Sequence, residues 1–184
     1  MRRAPAVVAL IAAVALTACS HKPPVPATEA LPPGPFLSCP ARVSDGSLPD
    51  LTLPCFAGGA PVRLGGFGKP AVINVWASWC GPCISELPQI QRYAREAGDR
   101  LVVLGVVTED DANSAASLAT DLRLTFPAVY DRGGELRKAL GRTALPITLF
   151  VDPTGRLAFT YEGPALSHDR LAALVKQHLG VAVA

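Results

Sequence analysis

The chain has 184 residues, 17 basic and 15 acidic, and is 49% hydrophobic, enough apolar material for one domain with extensions. A formal net charge of +2 supplies neither the basic surface of a nucleic-acid binder nor an acidic tail for a cationic partner. Both classes are set aside.

Met1, Arg2 and Arg3 make a basic start, and residues 4–18 form a short, uncharged, mostly apolar run. This is the pattern of a secretory leader, and the run falls short of the roughly 20 residues a spanning helix needs. Leu16-Thr17-Ala18-Cys19 resembles a bacterial lipobox, which implies cleavage after residue 18 and diacylation of Cys19. Two acyl chains suffice for stable membrane attachment; an ordinary signal peptide with Cys19 unused is the alternative. Loss of Arg2 and Arg3 would leave 15 bases against 15 acids. Residues 21–35 hold six prolines, the composition of an extended tether. The expected division is leader 1–18, acylated tether 19–38 and folded domain 39–184.

Within the domain, short apolar stretches at 51–56 and 61–64 around Gly58-Gly59 predict a hairpin. Residues 71–77 are nearly all apolar, β-branched or aromatic, as in a strand buried on both faces. Ile84, Leu87, Ile90, Gln91 and Ala94 then give a helical stripe ending near Gly98, with Pro88 predicting a kink. A second buried strand is expected over 101–107 and a helix over 113–122 behind the acidic cap Asp110-Asp111. Next come a brief strand at 128–130 and a short helix at 134–140. Strands at 147–151 and 157–161 flank the turn Asp152-Pro153-Thr154-Gly155. Ser167 can cap a last helix over 169–179, with Leu171, Leu174, Val175 and Leu179 on one face. This order predicts an α/β domain: a mixed central sheet with helices on both faces and an extra N-terminal hairpin.

Five cysteines must be placed in a compartment where disulfides persist. With Cys19 given to lipid and Cys80 and Cys83 to a two-residue-spaced motif, Cys39 and Cys55 remain as an even pair. Bridging them would close a loop worth about 3 kcal/mol on the chain-entropy account; two free thiols are the alternative. At a helix start the spacing of Cys80 and Cys83 lets their sulfurs meet. The first would face unsatisfied backbone N–H groups and the positive end of the helix dipole, which favour the attacking thiolate. Cys80 is expected to be the better exposed of the two. Gly81 permits a tight turn, and Pro82 loses no partner in a first helical turn.

Trp79-Cys80-Gly81-Pro82-Cys83 behind a buried strand resembles the thioredoxin active site. Its setting, from the hairpin before Lys69-Pro70 to Glu86-Leu87-Pro88, is similar to membrane-tethered TlpA/ResA-type thiol-disulfide oxidoreductases. The likeness continues through Tyr130-Asp131, Gly141 and the run from Leu145-Pro146 to Gly155, and covers roughly residues 48–180. It implies a thioredoxin-like fold, a redox-active Cys80–Cys83 pair, and a cis peptide bond before Pro146. Trp79, Leu145 and Pro146 would then form a surface for an extended partner. Asn74 stands where thioredoxin carries a buried acid, so that acid's role does not transfer. Glu86 instead matches an acid that such proteins place near the cysteines, where it would tune them or take the proton of Cys83; a solvated helix residue is the alternative.

The resemblance implies exchange through a mixed disulfide with disulfide- or thiol-bearing extracytoplasmic proteins, recharged by a membrane redox partner, in a single lipid-anchored chain without cofactor. The Gly-Pro spacer resembles that of reducing thioredoxins, which favours a reductant such as one serving cytochrome c maturation. An oxidative-folding donor and a non-catalytic adaptor lipoprotein stand as alternatives. A peroxide-reducing enzyme would place its lone attacking cysteine in another local motif. No metal is expected: His21, His168 and His178 stand at no ligand spacing with the cysteines and read as surface residues.

Overall fold

A computed structural model of the chain describes residues 30–183. The leader, Cys19 and most of the tether lie outside the described residues. Thr52–Leu53 (β1) and Val62–Arg63 (β2) pair antiparallel as a small separate sheet. The main sheet is built on Ala71–Trp76 (β3), buried at all six positions, followed by the helix Gly81–Ala97 (α1). Val102–Thr108 (β4), Ala112–Asp121 (α2), Ala128–Asp131 (β5) and Glu135–Ala139 (α3) come next. Ile147–Val151 (β6), Leu157–Tyr161 (β7) and His168–Leu179 (α4) complete the domain. The strand order is β5-β4-β3-β6-β7, with β3, β4 and β5 parallel and β6 and β7 antiparallel.

Alternation along β3 sends Ala71, Ile73 and Val75 to one face and Val72, Asn74 and Trp76 to the other. On the second face Val72, Trp76 and Phe150 pack with Leu87 and Ile90 of α1, Ala115 and Ala119 of α2, and Leu171, Leu174 and Val175 of α4. Full burial of each large apolar side chain contributes about 1.5–3 kcal/mol. On the first face Leu136 of α3 joins Leu53, Val62, Leu64 and Phe67, so the extra hairpin shares the covering of that face. Gly105 lies beside Asn74 in β4, where a Cβ would come within 3.0 Å of the Trp76 indole and 2.9 Å of Phe126.

Packing begins ahead of Cys39, inside the stretch expected to be tether. Phe36 is buried against Phe56 at 5.0 Å between rings, and the Leu37 N–H donates to the Thr125 carbonyl at 2.9 Å. Cys39 is disulfide-bonded to Cys55, with 6.0 Å between α-carbons. The segment so fixed runs beside the edge strand β5: Phe56 donates to Ala128 and Tyr130 to Pro54, each at 2.9 Å. An otherwise bare sheet edge is thereby covered.

Two expectations about side chains are corrected. The histidines of α4 are not simply solvated: His168 lies 2.5 Å from the Glu96 carboxylate of α1, and His178 stacks on Phe159 at 4.0 Å. The buried stripe of α1 is Cys83, Glu86, Leu87, Ile90, Gln91, Tyr93 and Ala97. Ile84 and Ala94 are only partly buried, because the helix is turned to carry Cys83, Glu86, Tyr93 and Ala97 inward with the expected Leu87, Ile90 and Gln91. Gln91 accepts from the Thr125 N–H at 2.5 Å and donates to the Thr125 hydroxyl at 3.1 Å. The helix continues through Pro88, which stands on its exposed side.

Candidate active site

Cys80 is the N-cap of α1, with extended backbone at φ −87 and ψ 100, and Pro82 occupies the first turn. Its Sγ accepts a hydrogen bond from the Cys83 N–H at 3.2 Å. This is the local geometry that favours a thiolate, since the first helical N–H groups have no carbonyl partners. The two cysteines are disulfide-bonded, with α-carbons 5.2 Å apart. Cys80 keeps 5% of its surface and Cys83 none. The expected order of exposure is present, but Cys80 is a shielded sulfur rather than an open one in this oxidised form.

Trp79 stands beside it at 60% exposure, its indole N–H donating to the Glu109 carbonyl at 2.9 Å. Ser78, one residue earlier, is held by Asp110: its N–H donates at 2.5 Å and its hydroxyl at 2.8 Å. The Asp110-Asp111 pair is thus divided, because only Asp111 caps α2, accepting from Ser114 N–H at 2.9 Å. Tyr130 steadies the same loop, its hydroxyl donating to the Asp110 carbonyl at 2.7 Å. The Leu145–Pro146 bond is cis, with Pro146 buried and Leu145 half-buried at the head of β6.

Glu86 lies one turn beyond Cys83 on the same helix face and is fully buried. Its Oε1 accepts from Asn74 Nδ2 at 2.7 Å and its Oε2 from the Leu166 N–H at 2.9 Å. Asn74 also donates to the Thr148 hydroxyl at 3.2 Å, its register partner on β6. The Asn74 Oδ1 has no partner among the described residues. Burial pushes the Glu86 carboxyl above its ordinary value, and the two donated hydrogen bonds pull part of the way back. The reading of Glu86 as a solvated helix residue is therefore wrong. A protonatable group is buried one helical turn beyond Cys83.

The Redoxin family pattern matches residues 44–175, a span from before the hairpin to well inside α4. The chain belongs to the Redoxin family. It is 33% identical over 105 residues to thiol-disulfide oxidoreductase ResA of Oceanobacillus iheyensis, a match spanning 56% of this chain and 54% of that protein. Over 139 residues it is 30% identical to the thiol:disulfide interchange protein DsbE of Pseudomonas fluorescens biotype C, covering 73% and 76%. The crystal structure of the pneumococcal exposed lipoprotein thioredoxin of Streptococcus pneumoniae superposes with TM-score 0.59 at 29% identity, over 70% of this chain and 99% of that one. The chain thus spans about half the length of the ResA relative. Its fold is thioredoxin-like, with an additional N-terminal two-stranded sheet.

In this Redoxin-family chain the structure gathers Trp79, Cys80, Cys83 and Glu86 around the start of α1. Cys39 and Cys55 lie apart, tying the N-terminal segment to the β5 edge. Sequence reasoning missed the Asn74 and Thr148 contacts, the Leu166 N–H and the role of Asp110. Only the alternation of β3 carried a signal, since it places Asn74 between Val72 and Trp76 on the α1 face. Among the described residues no helix is long and apolar enough to cross a membrane.

Proposed function

We propose that this chain is a thiol-disulfide oxidoreductase that reduces disulfides of partner proteins outside the cytoplasm, held at the membrane by a diacylated Cys19. The observation that carries the reading is the Cys80–Cys83 pair at the α1 N-terminus, with a donor aimed at the first sulfur and the second sealed behind it.

In the reduced protein the Cys80 thiolate attacks one sulfur of a partner disulfide. The partner's S–S bond breaks, a mixed disulfide forms, and the leaving thiolate takes a proton. Cys83 then loses its proton to the Glu86 carboxylate and attacks Cys80 Sγ. The mixed disulfide breaks, the second partner thiolate leaves and is protonated, and Cys80–Cys83 closes. Two electrons have passed to the partner, and a membrane redox protein returns the domain to the dithiol. Trp79, Leu145 and Pro146 supply the surface against which an extended partner segment lies. No cofactor enters these steps.

Gly81-Pro82 supports the reducing direction, and the resemblance of the sequence to TlpA/ResA-type proteins supports service in cytochrome c maturation. The leader pattern over residues 1–18 and the lipoprotein character of the pneumococcal relative support the anchor. Insulin reduction with a dithiol as electron source tests the activity: the parent is expected to turn over, and Cys80→Ala to fall to the uncatalysed rate. Equal rates for the two would leave a non-catalytic adaptor. Equilibration with glutathione tests direction, a potential below that couple being the expected result and one well above it marking an oxidant.

A further inference from the structure

The short helix α3 sets Arg137 between the loop that receives the Trp79 indole and the loop that leads into the cis Leu145–Pro146 bond. One end of its guanidinium pairs with the Glu109 carboxylate, and Nη1 donates to the Thr143 carbonyl at 2.6 Å. Glu109 is the residue whose carbonyl receives the Trp79 indole. Thr143 lies two residues before the cis Leu145–Pro146 bond. One side chain therefore ties the loop that anchors Trp79 to the loop that delivers the cis-proline.

Three features separate this from an incidental ion pair. The Arg137 side chain is only 14% exposed, and its Nε is buried without a partner among the described residues, so the cation has given up water for these two loops. Glu109 holds a left-handed backbone at φ 47, which a residue with a Cβ adopts only when its surroundings impose it. Gly134 leaves the room the pair needs, because a Cβ there would stand 2.6 Å from the Glu109 Cδ. The base of the clamp is itself fixed: the Asp131 carboxylate accepts from the N–H groups of Glu135 at 2.8 Å and Leu136 at 3.0 Å.

We propose that Arg137 is a positioning residue for specificity, setting the separation of the Trp79 and cis-proline loops between which a protein partner's extended segment lies. This inference rests on the exchange activity proposed above and names what makes that activity selective for proteins over small disulfides. A planar fork serves both loops at once; a lysine ammonium reaches one of them.

The test compares insulin with hydroxyethyl disulfide as substrates for the full chain, its Arg137→Met and Arg137→Lys variants, and Glu109→Gln. Glu109→Gln weakens the clamp from the opposite side by removing its negative charge, should Arg137→Met fold poorly. The KM for insulin is expected to rise about tenfold in Arg137→Met and Glu109→Gln, less than the roughly hundredfold that an ångström of misplacement can cost. Arg137→Lys should fall between, and the rate with hydroxyethyl disulfide should change far less. In a Trp76→Phe background, Trp79 emission should shift in the same order. Equal losses on both substrates, or none on either, would overturn the inference while leaving the exchange activity standing. A parent inert toward both would overturn the proposed function and this inference with it.

Discussion

Cys83→Ser is expected to leave Cys80 joined to its substrate, giving a covalent complex that survives non-reducing electrophoresis and vanishes with dithiothreitol. Cys83 has no exposed surface and lies directly behind Cys80, so it can attack only the bond that Cys80 makes. Well-oriented intramolecular attack corresponds to effective molarities of roughly 10⁵ M and above, so removing Cys83 should lower turnover by at least about 10³-fold even with millimolar external thiol. The trapped bond should map to residue 80. A complex captured by Cys80→Ser, with Cys83 as the bonded residue, would reverse the assigned roles.

Glu86→Gln is expected to slow resolution of the mixed disulfide about 10²-fold near neutral pH, the scale of one positioned proton acceptor. The side chain keeps its size, and its carbonyl can still accept from the Leu166 N–H while its amide meets the unpartnered Asn74 oxygen after that amide turns. A purely structural change would move all steps together, whereas loss of a base should remove the corresponding limb of the pH–rate profile for resolution alone. Stability should move the other way. Burial raises the folded-state value above the ordinary 4.5, so the native protein holds this proton more tightly than the unfolded chain. Stability is therefore lost as pH rises from 4.5 through the raised folded-state value, and Glu86→Gln lacks that loss. Denaturant titrations of the oxidised parent and variant at acid and neutral pH should show the variant gaining relative stability as pH increases. Identical slopes would place Glu86 outside the titrating machinery.

Local signals carried most of the fold. The buried strands announced themselves through β-branched runs, the last hairpin through its Asp-Pro-Thr-Gly turn, and the helices α2 and α4 through the caps Asp111 and Ser167. The cysteine pair was legible because its chemistry is fixed by spacing and by the helix that follows. What stayed hidden depends on contacts between distant stretches. Glu86 is polar in a polar-looking position, and its burial is decided by Asn74 twelve residues away and Leu166 eighty residues away. Phe36 sits in a proline-rich segment and is drawn inward by Phe56 and the Leu37 to Thr125 hydrogen bond. Asp110 looked like half of a helix cap because nothing local reveals that Ser78 is its neighbour in space.

The shielding of Cys80 bears on the whole account, because a nucleophile must be reached. The most direct measurement is the rate of iodoacetamide alkylation of the reduced protein against pH, with the modified residue located by mass spectrometry. The exchange mechanism requires that Cys80 alone react readily and titrate below the ordinary thiol value of about 8.5, because the Cys83 N–H and the α1 N-terminus hold its anion. A Cys80 that resists the reagent in the reduced state, or that titrates at or above that value, would contradict it.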